Sequence, residues 1–588
     1  MKKILLTVLA IIGGFVVALF LITILAGIFL GGERAVPDRV VLELNLEQPL
    51  METMPDDPLA QLALRDKQAL RDITDALQAA RTDKRVLGLV ARIGTAPLGM
   101  AQIQELRDAI SAFRATGKFA IAYAETFGEA GSGNHGYYLA SAFEEILLQP
   151  SGDVGLVGLR AESMFVRGLL DKLGVIPRMD HRKEYKNAMN MLTETRYTAA
   201  HREATQAIID SAFSQIVRGI AHGRGLEEAR VRALIDRGPF LGPQALEAGL
   251  VDALAYRDEV LTRVGARTGD KAELLFANHY LRRAGRPHQT GRNAVALIYG
   301  VGAVTRGTSN YDAGFGGVTM GSDTVAAAFR AAVEDEDVKA IVFRIDSPGG
   351  SYVASDTIWR ETVRAREAGK PVIASMGNVA GSGGYFVAMA ADKIVAQPAT
   401  ITGSIGVLAG KALTSGLWDK LGISWDAVQT SANANLWSGL SDYSPAQWQQ
   451  FQGWLDRIYE DFTGKVANGR KLPLEEVLKV AKGRVWTGED AKAHGLVDEL
   501  GGMETALRLA RQAAGLPEDE AVRLQLYPKP RTLLEALTGE GPERSGTLPE
   551  AALAEALAVI EPMAQLLTQT GLRRPAGVLM MQGPGAGL

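Results

Sequence analysis

Cysteine is absent from this chain of 588 residues. Its absence excludes disulfide bonds, thiolate metal sites and a cysteine nucleophile. An excess of either charge is missing too, since 63 basic and 67 acidic residues leave a formal net charge of -4. A charge so close to neutral provides no broad attraction to polyanions, so the composition disfavours a function in nucleic-acid binding.

Several familiar hydrolase patterns are missing as well. The Gly-x-Ser-x-Gly elbow is not formed around Ser382, because Ala380 takes the place of the first glycine. Ser-x-x-Lys, the pattern of serine β-lactamases, is also absent at Ser382. None of the seven histidines has a triad-like context. We predict neither a cofactor nor a metal, and a serine nucleophile here would need a base other than histidine.

The N-terminus carries an uncharged run from Ile4 to Leu30, preceded by Lys2 and Lys3. Crossing a bilayer takes roughly 20 apolar residues, whereas a cleaved signal peptide has an apolar region of about 7–15 and a small-x-small cleavage site. No Ala-x-Ala pattern follows, so we predict an N-terminal transmembrane helix that acts as an uncleaved signal anchor. A cleaved signal peptide and a buried core helix are the alternatives. The positive-inside rule would place the rest of the chain on the periplasmic side of the inner membrane.

The remaining sequence is duplicated. Residues 86–92, 117–123 and 137–150 are echoed, in the same order, by residues 338–344, 369–375 and 385–398. Short β-branched runs such as Ala340–Phe343 alternate with amphipathic stretches such as Ser355–Ala368. This alternation is typical of βαβ units in a mostly parallel sheet covered by helices. We therefore predict an α/β fold made of two tandem repeats.

The predicted boundaries follow from the ends of these echoes and from composition. The predicted segments are an anchor at 1–33, an N-terminal repeat at 38–265, a linker at 266–292, a C-terminal repeat at 293–515 and a variable, partly disordered tail at 516–588.

Two glycine-rich loops in the second repeat could carry chemistry. Asp346-Ser-Pro-Gly-Gly350 follows a predicted strand, and such a glycine pair can turn backbone N–H groups towards an anion. A plain strand-to-helix turn is the alternative. Gly381-Ser382-Gly-Gly384 precedes a predicted helix, whose N-terminus favours negative charge on a reacting oxygen. Here the alternative is a serine that merely caps the helix.

The first repeat serves as an internal control for both loops. Tyr385 and Pro398 pair with Tyr137 and Pro150 at a constant offset of 248, so Ser382 pairs with Asn134. In the same alignment, the loop Asp346-Ser-Pro-Gly-Gly350 corresponds to Gly94-Thr-Ala-Pro-Leu98 of the first repeat. The first repeat thus retains the scaffold without the hydroxyl or the glycine pair, which indicates that these groups are not needed for folding.

Lys186 shows the opposite asymmetry. It lies before the predicted helix Thr198–Gly219. Tyr197 matches Tyr443 at an offset of 246, which pairs Lys186 with about Ala432, in a stretch that has no cation. The first repeat therefore has a lysine and no serine, whereas the second has a serine and no lysine. This division suggests a single site between the repeats, with a solvated surface lysine as the alternative reading of Lys186.

Taken together, these features resemble the signal peptide peptidase SppA (protease IV) family in its long, duplicated form. The resemblance covers roughly residues 1–515, including the anchor and both repeats, and its motifs are Tyr185-Lys186-Asn-Ala188, Asp346-Ser-Pro-Gly-Gly350, Gly381-Ser382-Gly-Gly384 and Thr402-Gly-Ser-Ile-Gly406. Small departures are Gly381, where alanine is more usual in the family, and Asn187, where serine is common.

The resemblance implies a ClpP/crotonase-like fold and a membrane-facing tetramer that degrades cleaved signal peptides and other hydrophobic peptides. It also implies a dyad in which Ser382 is the nucleophile and Lys186 the general base and acid. We expect backbone N–H groups of Gly350 and Gly383 to form the oxyanion hole, and Ser404 to orient the lysine. An acyl-CoA lyase of the crotonase type and a non-catalytic membrane scaffold are the competing classes.

Overall fold

The computed structural model describes residues 35–54, 67–95, 97–269, 272–312, 317–517 and 520–529. The predicted signal anchor at 1–33 lies outside these ranges, as does most of the predicted tail. Among the described residues, no helix combines the length and the apolar character that a membrane crossing requires.

The first repeat is a parallel sheet covered by helices, with strand order β10-β6-β5-β4-β1-β11. Its strands are β1 (Val40–Leu46), β2 (Leu50–Met51), β3 (Gln68–Ala69), β4 (Val86–Ile93), β5 (Phe119–Ala124), β6 (Glu145–Leu148), β7 (Asp153–Val154), β8 (Ile176–His181), β9 (Phe240–Leu241), β10 (Ala253–Leu254) and β11 (Glu273–Phe276). Its helices are α1 (Leu70–Thr82), α2 (Met100–Arg114), α3 (Asn134–Ala140), α4 (Arg167–Leu173), α5 (Asn190–Thr193), α6 (Ala199–Arg224), α7 (Glu228–Arg237), α8 (Gly242–Glu247), α9 (Arg257–Thr268) and α10 (Ala277–Ala284).

The second repeat has the corresponding sheet, with strand order β21-β19-β17-β16-β12-β23 and with β18 joining β17 to β22. Its strands are β12 (Ala294–Val301), β13 (Ala303–Thr305), β14 (Tyr311–Asp312), β15 (Gly317–Gly321), β16 (Val338–Ser347), β17 (Val372–Gly381), β18 (Lys393–Ala396), β19 (Ile401–Gly403), β20 (Leu408–Leu413), β21 (Val485–Thr487), β22 (Glu499–Leu500) and β23 (Arg523–Tyr527). Its helices are α11 (Ser322–Glu334), α12 (Tyr352–Glu367), α13 (Gly383–Ala388), α14 (Ser415–Lys420), α15 (Pro445–Arg470), α16 (Leu474–Val480), α17 (Gly488–Ala493) and α18 (Met503–Ala513).

Equivalent hydrogen bonds hold the two repeats in the same shape. The Tyr137 hydroxyl donates to the Leu250 carbonyl at 2.6 Å, and the Tyr385 hydroxyl donates to the Leu496 carbonyl at 3.0 Å. The central strands β4 and β16 are almost continuously buried, as expected for parallel strands covered on both faces. The predicted α/β organisation in two repeats is therefore confirmed.

The sheets extend beyond the predicted repeat boundaries. Strand β11 lies within the predicted linker and pairs with β1 at the edge of the first sheet. Strand β23 lies within the predicted tail and pairs with β12 at the corresponding edge of the second sheet. Both edge strands are only partly buried, so they lack the continuous apolar run that marks a central strand. The sequence boundaries at 265 and 515 consequently fall one edge strand short.

An antiparallel pair of strands joins the two repeats. Strand β8 of the first repeat pairs with β20 of the second, from Ile176 opposite Leu413 to His181 opposite Leu408. The loop that follows His181 therefore begins in contact with the second repeat.

A buried charge cluster also lies between the repeats. The Arg344 guanidinium of β16 contacts Glu52 at 2.5 Å and Glu105 at 2.8 Å, and it donates to the Ser375 hydroxyl at 3.0 Å. A buried arginine needs such partners, because removing a charge from water is costly unless it is paired and hydrogen-bonded. Both glutamates come from the first repeat, so this cluster fixes the two sheets relative to each other beside the loop that starts at Asp346.

Candidate active site

Ser382 lies where β17 ends and α13 begins. Its backbone has φ 54 and ψ -116, a conformation that is strained for a residue with a side chain by about 1–3 kcal/mol. Although Ser382 occupies the N-cap position of α13, its side chain makes no capping hydrogen bond. The capping role considered as the alternative for this serine is therefore not observed.

Lys186 lies in the loop that follows β8, and backbone bonds to the second repeat hold this loop. The Arg182 N–H donates to the Val407 carbonyl at 2.8 Å, and the Tyr185 N–H donates to the Lys482 carbonyl at 3.1 Å. Lys186 is only 4% exposed, and its Nζ lies 3.0 Å from the Ser382 Oγ. It is thus a buried group in contact with the serine, not a solvated surface lysine.

Burial lowers the pKa of Lys186 from 10.5 to about 7. Two oxygens of Ser404 surround the same amine, the carbonyl at 2.8 Å and the hydroxyl at 2.9 Å. A neutral amine has two N–H donors and one lone pair. With both donors directed to Ser404, the lone pair is left for the Ser382 hydroxyl, so this arrangement can accept a proton from Ser382.

The glycine-rich loop after β16 packs directly against Ser382. Gly349 has φ +102, and a Cβ there would lie 2.8 Å from the Ser382 Cβ, so only glycine fits. A Cβ on Gly383 would lie 3.0 Å from the Gly350 nitrogen, which places these two amides close together. Among the described residues, neither amide has a backbone or side-chain acceptor. These two N–H groups can therefore donate to an oxygen that develops negative charge beside Ser382.

The corresponding position in the first repeat has no such chemistry. Asn134 replaces Ser382, and its Oδ1 accepts hydrogen bonds from the N–H groups of Val157 and Gly158 at 3.0 and 3.2 Å. At the same offset of 248, buried Leu156 replaces Ser404. The described residues also contain no cluster of acidic and histidine side chains that could hold a metal ion.

Comparison with known proteins assigns the chain to a family. The sequence matches peptidase family S49 over residues 112–269 and 364–517, in both repeats. This chain belongs to peptidase family S49. It is 32% identical to the chloroplastic serine protease SPPA of Arabidopsis thaliana over 481 residues, which is 80% of this chain and 70% of that protein. The S49 family assignment confirms the resemblance to the long SppA form and makes the chain a serine protease.

Bacterial relatives of similar length support the same assignment. Protease 4 of Salmonella typhi is 32% identical over 464 residues, covering 77% of this chain and 73% of that protein. Protease 4 of Haemophilus influenzae is 31% identical over 467 residues, covering 77% and 74%. The match to S49 proteins of this length therefore includes both repeats.

All five residues predicted for the site lie together in the structure. They are Lys186, Gly350, Ser382, Gly383 and Ser404. Sequence reasoning missed the charge cluster around Arg344, which lies beneath the glycine-rich loop. Its one available signal was the arginine itself, which directly follows the apolar run Ala340–Phe343 of a central strand.

Proposed function

We propose that the chain is a membrane-anchored endopeptidase with a Ser382/Lys186 dyad. The observation that carries this proposal is the 3.0 Å contact between the Ser382 hydroxyl and a buried lysine amine. Because burial brings the pKa of Lys186 to about 7, a large fraction of this amine is neutral at neutral pH and available as a base.

The proposed reaction uses Lys186 first as base and then as acid. Its neutral Nζ takes the proton of the Ser382 hydroxyl while Oγ attacks the peptide carbonyl carbon. When the C–N bond breaks, the lysine ammonium gives this proton to the leaving amine, and an ester on Ser382 remains. Water attacks that ester, passes a proton to Lys186 and releases the acid, and the same proton returns to Ser382.

The oxyanion formed in both halves of the reaction would bind to the N–H groups of Gly350 and Gly383. These two groups lie close together beside Ser382, one on the loop after β16 and one in the first turn of α13. In other enzymes, removing one fixed donor of this kind raises the activation free energy by roughly 3–4 kcal/mol.

We propose hydrophobic peptides, including cleaved signal peptides, as substrates. Support comes from relatives named for this activity, such as the putative signal peptide peptidase SppA of Enterococcus faecium, which is 34% identical over 167 residues. The apolar N-terminal run supports anchoring in a bilayer, with the catalytic repeats on the periplasmic side of the inner membrane. The family resemblance supports a homo-oligomer, with four subunits.

The test is labelling of the purified chain with a fluorophosphonate, followed by mass spectrometry of the modified peptide. We expect one adduct, on Ser382, because its hydroxyl faces the lone pair of the Lys186 amine, whereas the Ser404 hydroxyl accepts a hydrogen bond from that amine. Its rate of formation should rise about tenfold per pH unit below pH 7 and level off above it, since the reactive form contains neutral Lys186.

Other outcomes would favour the competing classes. An unlabelled Ser382 in a chain that turns over an acyl-CoA would indicate a lyase. An unlabelled Ser382 with no turnover would indicate a scaffold. Labelling whose rate does not change between pH 5 and pH 9 would contradict a lysine base with a pKa of about 7.

Ser404 should act as a positioning residue for the lysine. Ser404→Ala removes one of the two acceptors that hold the amine, and we expect kcat to fall about fivefold, in line with a lost hydrogen bond of about 1 kcal/mol, while KM stays nearly constant. The pH midpoint of kcat should also move, because the hydroxyl contacts the titrating amine. A purely structural role for Ser404 would leave the midpoint unchanged.

A further inference from the structure

Strand β17 contains a bulge just before the nucleophile. In its pairing with β16, the register advances by two residues on β16, from Ile345 to Ser347, and by four on β17, from Met376 to Ala380. Asp346 alone therefore lies opposite three residues, 377–379. The extra residues of a bulge lose their partners in the sheet, so their N–H groups need other acceptors.

The side chain of Asp346 supplies those acceptors. Its Oδ1 accepts a hydrogen bond from the Val379 N–H at 2.9 Å, and the N–H of Asn378 also donates to this carboxyl group. Asp346 is the first residue of the glycine-rich loop, and Val379 lies three residues before Ser382. The Asp346 side chain thus ties the loop that carries an oxyanion donor to the strand that carries the nucleophile.

A second carboxyl group lies against the same bulge. Glu52 is 8% exposed, and its Oε1 contacts Arg344, whereas its Oε2 is buried and has no hydrogen-bond partner among the described residues. A Cβ on Gly377 would lie 3.1 Å from the Asp346 Cγ and 3.4 Å from the Glu52 Oε2. The two carboxyl groups therefore lie side by side, and the one buried oxygen without a donor is unfavourable unless a proton is supplied to it.

The net charge around Arg344 also favours a proton on Asp346. Within the described ranges Arg344 is paired with Glu52 and Glu105, and Asp346 forms no ion pair. Three carboxylates around one guanidinium would bury two uncompensated charges. Burial, and after it the charge of Glu52, raises the pKa of Asp346 from 3.8 to about 7. The neighbouring titratable groups add no compensating charge, since they are a neutral phenol and a closed ion pair: Tyr299 of β12, and Arg71 with Asp75 of α1.

The first repeat has no such acid. Its corresponding pair of strands, β4 and β5, ends where Arg92 lies opposite Tyr123, and Gly94 stands at the position of Asp346. The repeat without a nucleophile therefore also lacks the side chain that ties the two segments together.

We propose that Asp346 is a positioning residue that works as a neutral acid, with Oδ1 bound to the backbone of β17 and the proton on Oδ2 donated to the Glu52 Oε2. One proton then satisfies the open oxygen of Glu52 and reduces the buried charge. The effect on catalysis passes through the placement of the Gly350 N–H beside Ser382, without contact between Asp346 and substrate. The inference rests on the proposed function for its activity test, whereas the protonation of Asp346 does not depend on the dyad.

Two substitutions separate the hydrogen bonds of Asp346 from its charge. Asp346→Asn keeps an acceptor for β17 and replaces the acidic proton with an amide N–H, so we expect kcat and KM on a hydrophobic peptide within about twofold of wild type. Asp346→Ala removes both bonds and lets the glycine-rich loop shift, so kcat should fall about 100-fold while KM stays nearly constant. Asp236→Ala, at an exposed position of α7, is the control and should match wild type.

The proton itself can be observed by infrared spectroscopy. At pH 6, a spectrum of wild type minus Asp346→Asn should contain the C=O stretch of a protonated carboxyl group, and this band should shift in D2O. The band should fade as the pH rises above about 7, because Asp346 then ionises. The ionised carboxylate still accepts from the two N–H groups of β17, so the loop stays in place and the unfavourable charge lowers stability.

The pH dependence of stability provides an independent measurement. Between pH 3.8 and about 7 the folded chain binds a proton on Asp346 that the unfolded chain has released, so this group makes wild-type stability fall as the pH rises through that window. Asp346→Asn lacks this titration. Its folding equilibrium constant relative to wild type, measured by chemical denaturation, should rise by up to about tenfold per pH unit across the window.

Three results would overturn the proposal. An Asp346→Asn chain as inactive as Asp346→Ala would show that the site needs the carboxylate charge. A fully active Asp346→Ala chain would show that the loop holds its place without this side chain. A difference spectrum without the protonated-acid band would show that Asp346 is ionised, and this test decides if Asp346→Ala fails to fold. If the wild type hydrolyses no peptide, the dyad fails, but the band and the stability shift should remain, so the two failures are distinguishable.

Discussion

Lys186→Met should abolish peptide hydrolysis and at the same time make the protein more stable. The substitution keeps the length of the side chain but removes the base, so we expect kcat to fall about 10⁴-fold or more on a hydrophobic peptide. The opposite effect on stability arises because the native lysine is buried in a site where its charged form is disfavoured.

The sign of the pH dependence follows from this lowered pKa. Between pH 7 and pH 10.5 the unfolded chain binds a proton on Lys186 that the folded chain does not, so wild-type stability rises with pH across this window. The stability gained by Lys186→Met should therefore be largest at and below pH 7, about 1–3 kcal/mol after the lost hydrogen bonds are subtracted, and should fade towards pH 10.5.

Both quantities can be measured on one preparation, by peptide hydrolysis and by chemical denaturation at several pH values. Lys183→Met is the matched control, because Lys183 lies three residues away in the same loop and is exposed. It should leave activity and the pH dependence of stability close to wild type. A Lys186→Met protein that is inactive but less stable at every pH would indicate lost packing and would refute the buried-base interpretation.

Ser382→Ala should remove both hydrolysis and fluorophosphonate labelling. Within the described part of the chain, the one other hydroxyl in contact with the Lys186 amine is that of Ser404, which accepts a hydrogen bond from it, so no substitute nucleophile is expected. We expect a loss of activity of about 10⁴-fold or more, similar to Lys186→Met, and a double variant little worse than either single one, because the two groups act as a unit.

Ser382→Gly provides a matched comparison that separates the hydroxyl from the backbone. Both variants lack the nucleophile and should be equally inactive. At φ 54 and ψ -116, however, glycine is unstrained and alanine is not, so the glycine variant should be more stable by about 1 kcal/mol. If either variant retains hydrolysis and is labelled by the fluorophosphonate at another serine, the nucleophile lies elsewhere.

The candidate site was accessible from sequence because duplication provided a comparison within one chain. Ser382 against Asn134, and Lys186 against a stretch without cations, are differences that folding alone does not explain. The structure adds a third difference: the position in the first repeat that corresponds to Ser404 is Leu156. The same asymmetry therefore extends to the residue that holds the lysine.

The features that sequence reasoning did not predict depend on contacts between distant segments. Glu52 and Glu105 meet Arg344 across the boundary of the repeats, and no periodic pattern relates three charges in three distant segments. Strands β11 and β23 were missed for a local reason, since edge strands with mixed burial resemble loops. The pairing of β8 with β20 has no signal in either repeat taken alone.

The position of Lys186, in a loop of the first repeat that the second repeat holds in place, has a consequence for biosynthesis. The ribosome completes the first repeat, with its lysine, long before it makes the carbonyls of Val407 and Lys482 that hold the loop in place. Until those residues emerge and fold, the lysine remains in water with its ordinary protonation, and no serine lies beside it. The proposed dyad therefore cannot form in the nascent chain until residues as far as Lys482 have been synthesised and folded.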